Sequence, residues 1–179
     1  NYCESYHLPW VHPGLNTYSR LEDHYQIDSF ASFSGQGTAV YRQLKDDQGN
    51  ALPDFDGLSS DWDAAAEYIS IYPNVLLGVH RDHFFAIVLE PLATDRTIER
   101  LEIYYAESAP GSLGWEQLGA RNAALWQTVF AEDVFVVEGM QRGRLGVFFD
   151  GGRFSPVMDG PTHHFHRWVA TQIEQRRQV

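Results

Sequence analysis

Ten residues near the start of the chain carry the clearest chemical signal: Glu4-Ser-Tyr-His7-Leu-Pro-Trp-Val-His12-Pro13. Two imidazoles and a carboxylate within so short a span could ligate a divalent metal or shuttle protons. On an unbroken helix, residues five apart point roughly 140° away from each other, so His7 and His12 would not share a ligand. Pro9 and Pro13 disrupt that geometry, and a bend between the histidines can turn both rings toward one point. Glu4 lies three residues before His7, on the same face if that stretch is helical. The same pattern also suits two structural histidines in an aromatic segment.

A third ligand must come from elsewhere, and Asp133 is the candidate. It stands in Phe130-Ala-Glu132-Asp133-Val-Phe-Val-Val137, an apolar run in which a carboxylate is costly to bury without a compensating charge. The competing reading places Glu132 and Asp133 on a solvated face. Two histidines, one carboxylate and open positions form the facial triad of non-haem Fe(II) oxygenases. Three ligands and a water also fit zinc.

The elements that must position these groups read as strands followed by helices. Residues 25–33 alternate as a strand, Ser34-Gly35-Gln36-Gly37 reads as a turn, and 38–42 as a second strand. Residues 44–63 are rich in Asp and read as an exposed loop, with Asp61 and Asp63 solvated. Four short strands follow, at 68–72, 75–80, 84–89 and 100–105. In the last, Leu101, Ile103 and Tyr105 share one face. The period then lengthens: Trp115, Leu118, Leu125 and Val129 line one side of a helix that stops near Gly143. After a Gly-rich segment from Gly146 to Gly160, Phe165, Trp168, Val169 and Ile173 mark a closing helix. The expected class is α+β, with helices on one face of an antiparallel meander.

Length and composition narrow the functions. A chain of 179 residues suits one domain. Its net charge of −11 opposes phosphate backbones and anionic lipid, so neither nucleic acid nor a membrane is an expected partner. Cys3 is the single cysteine, which excludes an intramolecular disulfide, a zinc ribbon or iron–sulfur ligation within this chain. It reads as a small apolar filler. No secretory signal is evident, and the expected location is cytoplasmic. His80-Arg-Asp82-His83 and His163-His164-Phe-His166 could bind metal, but histidines at element ends need none. The first could instead line a substrate pocket. Zinc-protease and serine-hydrolase motifs are absent, and Gly35-Gln-Gly37 is a fragment of a nucleotide loop that opens no helix.

The segment from Glu4 to Leu15 resembles the iron-binding segment of Rieske-type non-haem iron oxygenase α subunits, the ring-hydroxylating oxygenases and their relatives acting on choline and betaine. Glu132-Asp133-Val-Phe-Val-Val-Glu138-Gly-Met-Gln141-Arg-Gly143 resembles that family's later segment, and the tail from Ser155 to Trp168 also fits. The resemblance implies His7, His12 and Asp133 as ligands of a mononuclear Fe(II). It makes Glu4 the bridging acid toward a cluster histidine of a neighbouring subunit, and Asn1 a polar residue near the iron. Glu rather than Asp at position 4 resembles the choline and carnitine branch.

It further implies a helix-grip fold, a curved antiparallel sheet wrapped on a long C-terminal helix around a cavity. Residues 1–179 would form one catalytic domain. The Cys-x-His and Cys-x-x-His pairs of a Rieske 2Fe–2S cluster are missing, so that domain is expected upstream of Asn1. The implied reaction is mono- or dioxygenation of an aromatic or quaternary-amine small molecule by O₂. Electrons would come from NAD(P)H through a reductase, with or without a ferredoxin, in a homotrimer. A metal-free helix-grip binding module and a zinc-dependent hydrolase are the alternatives.

Overall fold

The computed structural model describes residues 1–17 and 19–177. A one-turn helix α1 (Leu8–Val11) opens the chain. Six strands follow: β1 (His24–Phe30), β2 (Phe33–Thr38), β3 (Ala66–Ile71), β4 (Val75–Val79), β5 (His83–Ala93) and β6 (Arg96–Tyr105). Helices α2 (Trp115–Gly143) and α3 (Gly160–Arg177) complete the order. The strands form one six-stranded antiparallel sheet in sequence order, β1 to β6. The architecture is α+β, an open antiparallel meander with a long helix.

The first hairpin differs from the sequence expectation. The chain reverses after Phe30 rather than at residues 34–37, and Ser34–Gly37 lies inside β2. Residues 39–42 lie outside any strand. The glycines serve close approach and not a turn. A Cβ on Gly35 would collide with the backbone carbonyl of Tyr68 on β3, and one on Gly37 with the ring of Tyr25 on β1. The loop over 44–63 is also not wholly exposed, since Leu52 and Asp46 are buried. Asp54 ties the loop to the sheet through an ion pair with Arg81.

The later strands follow the apolar pattern. Phe85 pairs with Ile103 and Ile87 with Leu101 across β5 and β6. Phe85 and Ile87 point toward α2, where they meet Trp126 and Val129 in the buried core. On α2, Leu118, Asn122, Trp126 and Val129 are buried, a stripe at helical spacing. Asp133 follows Val129 by one turn, so the stripe that docks the helix ends in a carboxylate. The long helix gripped by the sheet is thus the penultimate element, at 29 residues. The C-terminal helix α3 packs instead near β1 and β2. There Ser34 Oγ donates to Pro161 O at 3.1 Å and His164 Nε2 to Phe30 O at 2.5 Å. Phe165 and Trp168 pack on Tyr72, while Ile173 of the expected stripe is exposed. Among the described residues, no helix is long and apolar enough to cross a membrane.

Candidate metal centre

His7 and His12 flank α1 as its N-cap and C-cap. Pro9 lies in the first turn, where a missing N–H is tolerated. The helix cannot continue past His12, because a residue preceding proline is pushed out of helical geometry. His12 leaves at φ −119° and ψ 64°. This single turn with a break at its end brings the rings to a centroid separation of 5.3 Å at 75°.

Asp133 reaches the pair from α2. Its Oδ1 lies 3.2 Å from His12 Nε2 and 3.9 Å from His7 Nε2. One potential ligand atom from each of the three residues falls within 4.8 Å of the others. Asn1 Nδ2 donates to Asp133 Oδ1 at 2.8 Å. Behind the histidines stand two more carboxylates. His7 Nδ1 lies 2.7 Å from Glu4 Oε1, and the His7 backbone N–H donates to Glu4 Oε2 at 3.3 Å. His12 Nδ1 lies 2.8 Å from Glu132 Oε2. A carboxylate behind each Nδ1 places the ring proton there and turns Nε2 toward the common point.

The electrostatics of the pair are mutual. Burial pulls the His12 pKa down, but hydrogen bonds to Asp133 and Glu132 outweigh it and leave the value raised. Burial pushes the Asp133 carboxyl up, and the bonds from His12 and Asn1 and the nearby imidazoles bring it below its ordinary value. Two imidazole nitrogens oriented from behind and one carboxylate are a donor set suited to a divalent first-row metal.

The ligand atoms face a pocket. Its lining includes the apolar and aromatic residues Tyr68, Phe85, Trp126, Val129 and Phe130. A polar ledge of Ser19, His24 and Gln36 lines one side. His24 Nδ1 lies 2.6 Å from Gln36 Oε1, and its Nε2 lies 3.0 Å from Ser19 Oγ. Burial lowers the His24 pKa. The sequence reading did not single out this ledge. Its signal was present in Ser34, Gln36 and Thr38, polar residues alternating on one face of β2. All three are buried.

The other histidine groups do different things. His80 and His83 are fully buried and stacked at 4.2 Å, and His83 lines a neighbouring cavity. His163 and His166 pack on Phe154. Cys3 is buried with its sulfur 3.7 Å from Ser34 Oγ.

Comparison with known proteins identifies the family of the chain. Residues 1–175 match the model of the ring hydroxylating alpha subunit (catalytic domain) family, and the chain belongs to that family. Over 185 residues it is 25% identical to putrescine 2-hydroxylase of Ralstonia nicotianae, covering 93% of this chain and 48% of that protein. It is 28% identical over 167 residues to the chloroplastic choline monooxygenase of Arabidopsis thaliana, covering 93% and 36%. The chain therefore spans about half, or less, of the length of these relatives. The fold is similar to that of the quaternary ammonium Rieske monooxygenase CntA solved with an inhibitor. The TM-score is 0.63 at 17% identity, over 92% of this chain and 41% of that one. A second structure of a quaternary ammonium Rieske monooxygenase, described with carnitine oxidation and inter-subunit electron transfer, gives the same TM-score over 95% and 44%.

Proposed function

We propose that this chain is the catalytic domain of a Rieske-type oxygenase that hydroxylates an aromatic or quaternary-amine small molecule with O₂. One observation carries the reading. His7, His12 and Asp133 converge at an aromatic-walled pocket, with Glu4 and Glu132 holding both imidazoles from behind. In this reading the three residues hold Fe(II), and the family relationship supports that choice over zinc hydrolysis or a metal-free binding module. Held by these three side chains, Fe(II) would supply the O₂ activation that the reaction needs.

The chain's own side chains do the rest. Glu4 and Glu132 accept the Nδ1 protons, which leaves Nε2 of each ring as the nitrogen that faces the metal position. Asn1 holds the Asp133 carboxylate in orientation. Phe85, Trp126, Val129 and Phe130 exclude water from the reacting face. Tyr68 and Trp126 give the pocket lining an aromatic character that suits a cationic or aromatic substrate.

Glu4 has the place of the acid that connects the iron site to a cluster on a neighbouring subunit. The 2Fe–2S domain belongs to the part of the protein preceding Asn1, and NAD(P)H electrons arrive through a reductase, with or without a ferredoxin. A homotrimer gives the cluster access to its neighbour. Apolar side chains stand ready for such contacts: Trp10 is 85% exposed, Phe135 77% and Phe148 96%. The cytoplasm, where NAD(P)H is available, is the proposed compartment.

The test uses the full-length protein. Anaerobic Fe(II) titration, followed by turnover under ¹⁸O₂ with candidate quaternary amines and arenes, compares the parent with His7→Ala and Asp133→Ala. One iron per chain and labelled product in the parent alone are expected. A parent that binds no iron, or hydrolyses substrate without O₂, overturns the reading.

A further inference from the structure

The turn between β4 and β5, with the first residue of β5, carries three buried titratable groups outside the metal centre: His80, Asp82 and His83, each 1% exposed. Trp126 Nε1–H donates to His83 Nε2 at 2.7 Å. An indole nitrogen can only donate, so Nε2 is the bare nitrogen and the ring proton sits on Nδ1. That nitrogen lies 2.8 Å from Asp82 Oδ1, which also accepts the Tyr41 hydroxyl at 3.0 Å. His80 stacks flat on His83, and Tyr68 Oη lies 3.3 Å from His80 Nε2. Well-packed apolar residues would often stabilise a core as well as this polar array does. What the array adds is direction, because it fixes the plane of the Trp126 indole.

Trp126 lines two cavities. One faces the metal ligands. The other is lined by Thr38, Tyr41, Leu44 and His83 among others. Leu15, Ser19, Tyr68 and Trp126 line both. We propose that Trp126 is the partition that sets the depth of the substrate pocket, and that Asp82 and His83 are positioning residues that hold its ring across the passage. The proposal deepens the oxygenase reading and rests on the cavity at the metal centre being the substrate pocket. Shortening Trp126 joins the cavities and admits longer ligands. Removing the acceptor on His83 frees the indole to rotate and blurs the length limit.

The experiment measures binding to the full-length iron-loaded enzyme under anaerobic conditions, by calorimetry. The probes are two series of increasing chain length, n-alkyltrimethylammonium ions and n-alkylbenzenes. The parent shows a sharp length limit. In Trp126→Leu the limit moves out by about two carbons, and the first homologues beyond it bind about tenfold tighter than to the parent, the gain expected from two more buried methylenes. His83→Leu softens the limit. His83→Gln, whose amide oxygen can accept the indole N–H, restores it.

A second readout does not need a ligand. The Trp126 indole N–H resonance is shifted and slow to exchange in the parent and in His83→Gln, and loses both properties in His83→Leu. If His83→Leu fails to fold, Asp82→Ala is read by the same signal, with faster indole exchange expected. An unchanged length limit in Trp126→Leu, or an indole signal indifferent to His83 and Asp82, overturns the proposal. If neither series binds the parent, the substrate class falls instead. The partition is then judged from the indole signal and a crystal structure of Trp126→Leu, where cavities that stay separate refute it.

Discussion

Removing the carboxylate behind each histidine should weaken iron binding unequally. Outer partners of metal-ligating histidines are typically worth 10- to 100-fold in affinity, about 1.4 to 2.7 kcal/mol. Glu4 is 7% exposed and holds His7 twice, through Nδ1 at 2.7 Å and the backbone N–H at 3.3 Å. Glu132 is 37% exposed and makes one contact, to His12 Nδ1 at 2.8 Å. Water can take over the Glu132 contact with little loss, whereas no solvent reaches the buried Glu4 position as easily. We therefore expect Glu4→Ala to weaken Fe(II) binding by about 100-fold and Glu132→Ala by about 10-fold. Glu4→Gln should recover part of the loss, since its amide oxygen can still accept the imidazole proton. The assay is an anaerobic Fe(II) titration against a competing chelator, with circular dichroism to confirm folding. Equal losses, a reversed order, or no loss in either variant would refute the assignment of the two carboxylates.

Further outcomes follow from the same contacts. In the metal-free protein, the raised His12 pKa contributes stability that is complete below its ordinary value of 6.5 and lost as pH rises through the raised one. The lowered Asp133 pKa contributes above its ordinary value of 3.8 and is lost as pH falls through the lowered one. The pair therefore supports the metal-free fold most between those two values. Because Fe(II) needs neutral imidazole, the gain in melting temperature on adding metal should be larger at about pH 8 than at about pH 6. Phe85→Ala empties the core beneath Trp126 and should cost about 3–5 kcal/mol, seen as a lower urea midpoint with an unchanged slope. Gly35→Ala forces a Cβ against the Tyr68 carbonyl and should cost about 1–3 kcal/mol in the same assay.

Much of the fold was legible because apolar periodicity dictated it. Val75 to Leu89 reads as paired strands from its β-branched and aromatic runs, and Trp115 to Gly143 as one helix from its stripe and closing glycine. The first hairpin was misread for a physical reason. Glycines at 35 and 37 signal a turn locally, but here they make room for Tyr68 and Tyr25, contacts that depend on strands distant in sequence. The antiparallel sheet with a long helix late in the chain came from the family resemblance, and Trp115–Gly143 supplies that helix, followed by the shorter α3. At the site, the spacing around Pro9 and Pro13 and the carboxylate at 133 made His7, His12 and Asp133 candidates with bland alternatives still open, and the family resemblance joined them as one ligand set. Glu132 was invisible as a partner, because a carboxylate on a helix usually faces solvent and its contact to His12 spans 120 positions. The bond from Trp126 to His83 escaped for the same reason, since hydrogen bonding between distant elements leaves no local period, while the alternation of Ser34, Gln36 and Thr38 was hidden by reading residues 34–37 as a turn.

The central claim is tested most directly by anomalous diffraction at the iron edge from crystals of the protein loaded anaerobically with Fe(II). The account predicts one iron peak per chain, bonded to His7 Nε2, His12 Nε2 and Asp133, with both Nδ1 atoms still on Glu4 and Glu132. A peak elsewhere, or an Asp133 carboxylate turned away from the iron, would contradict it.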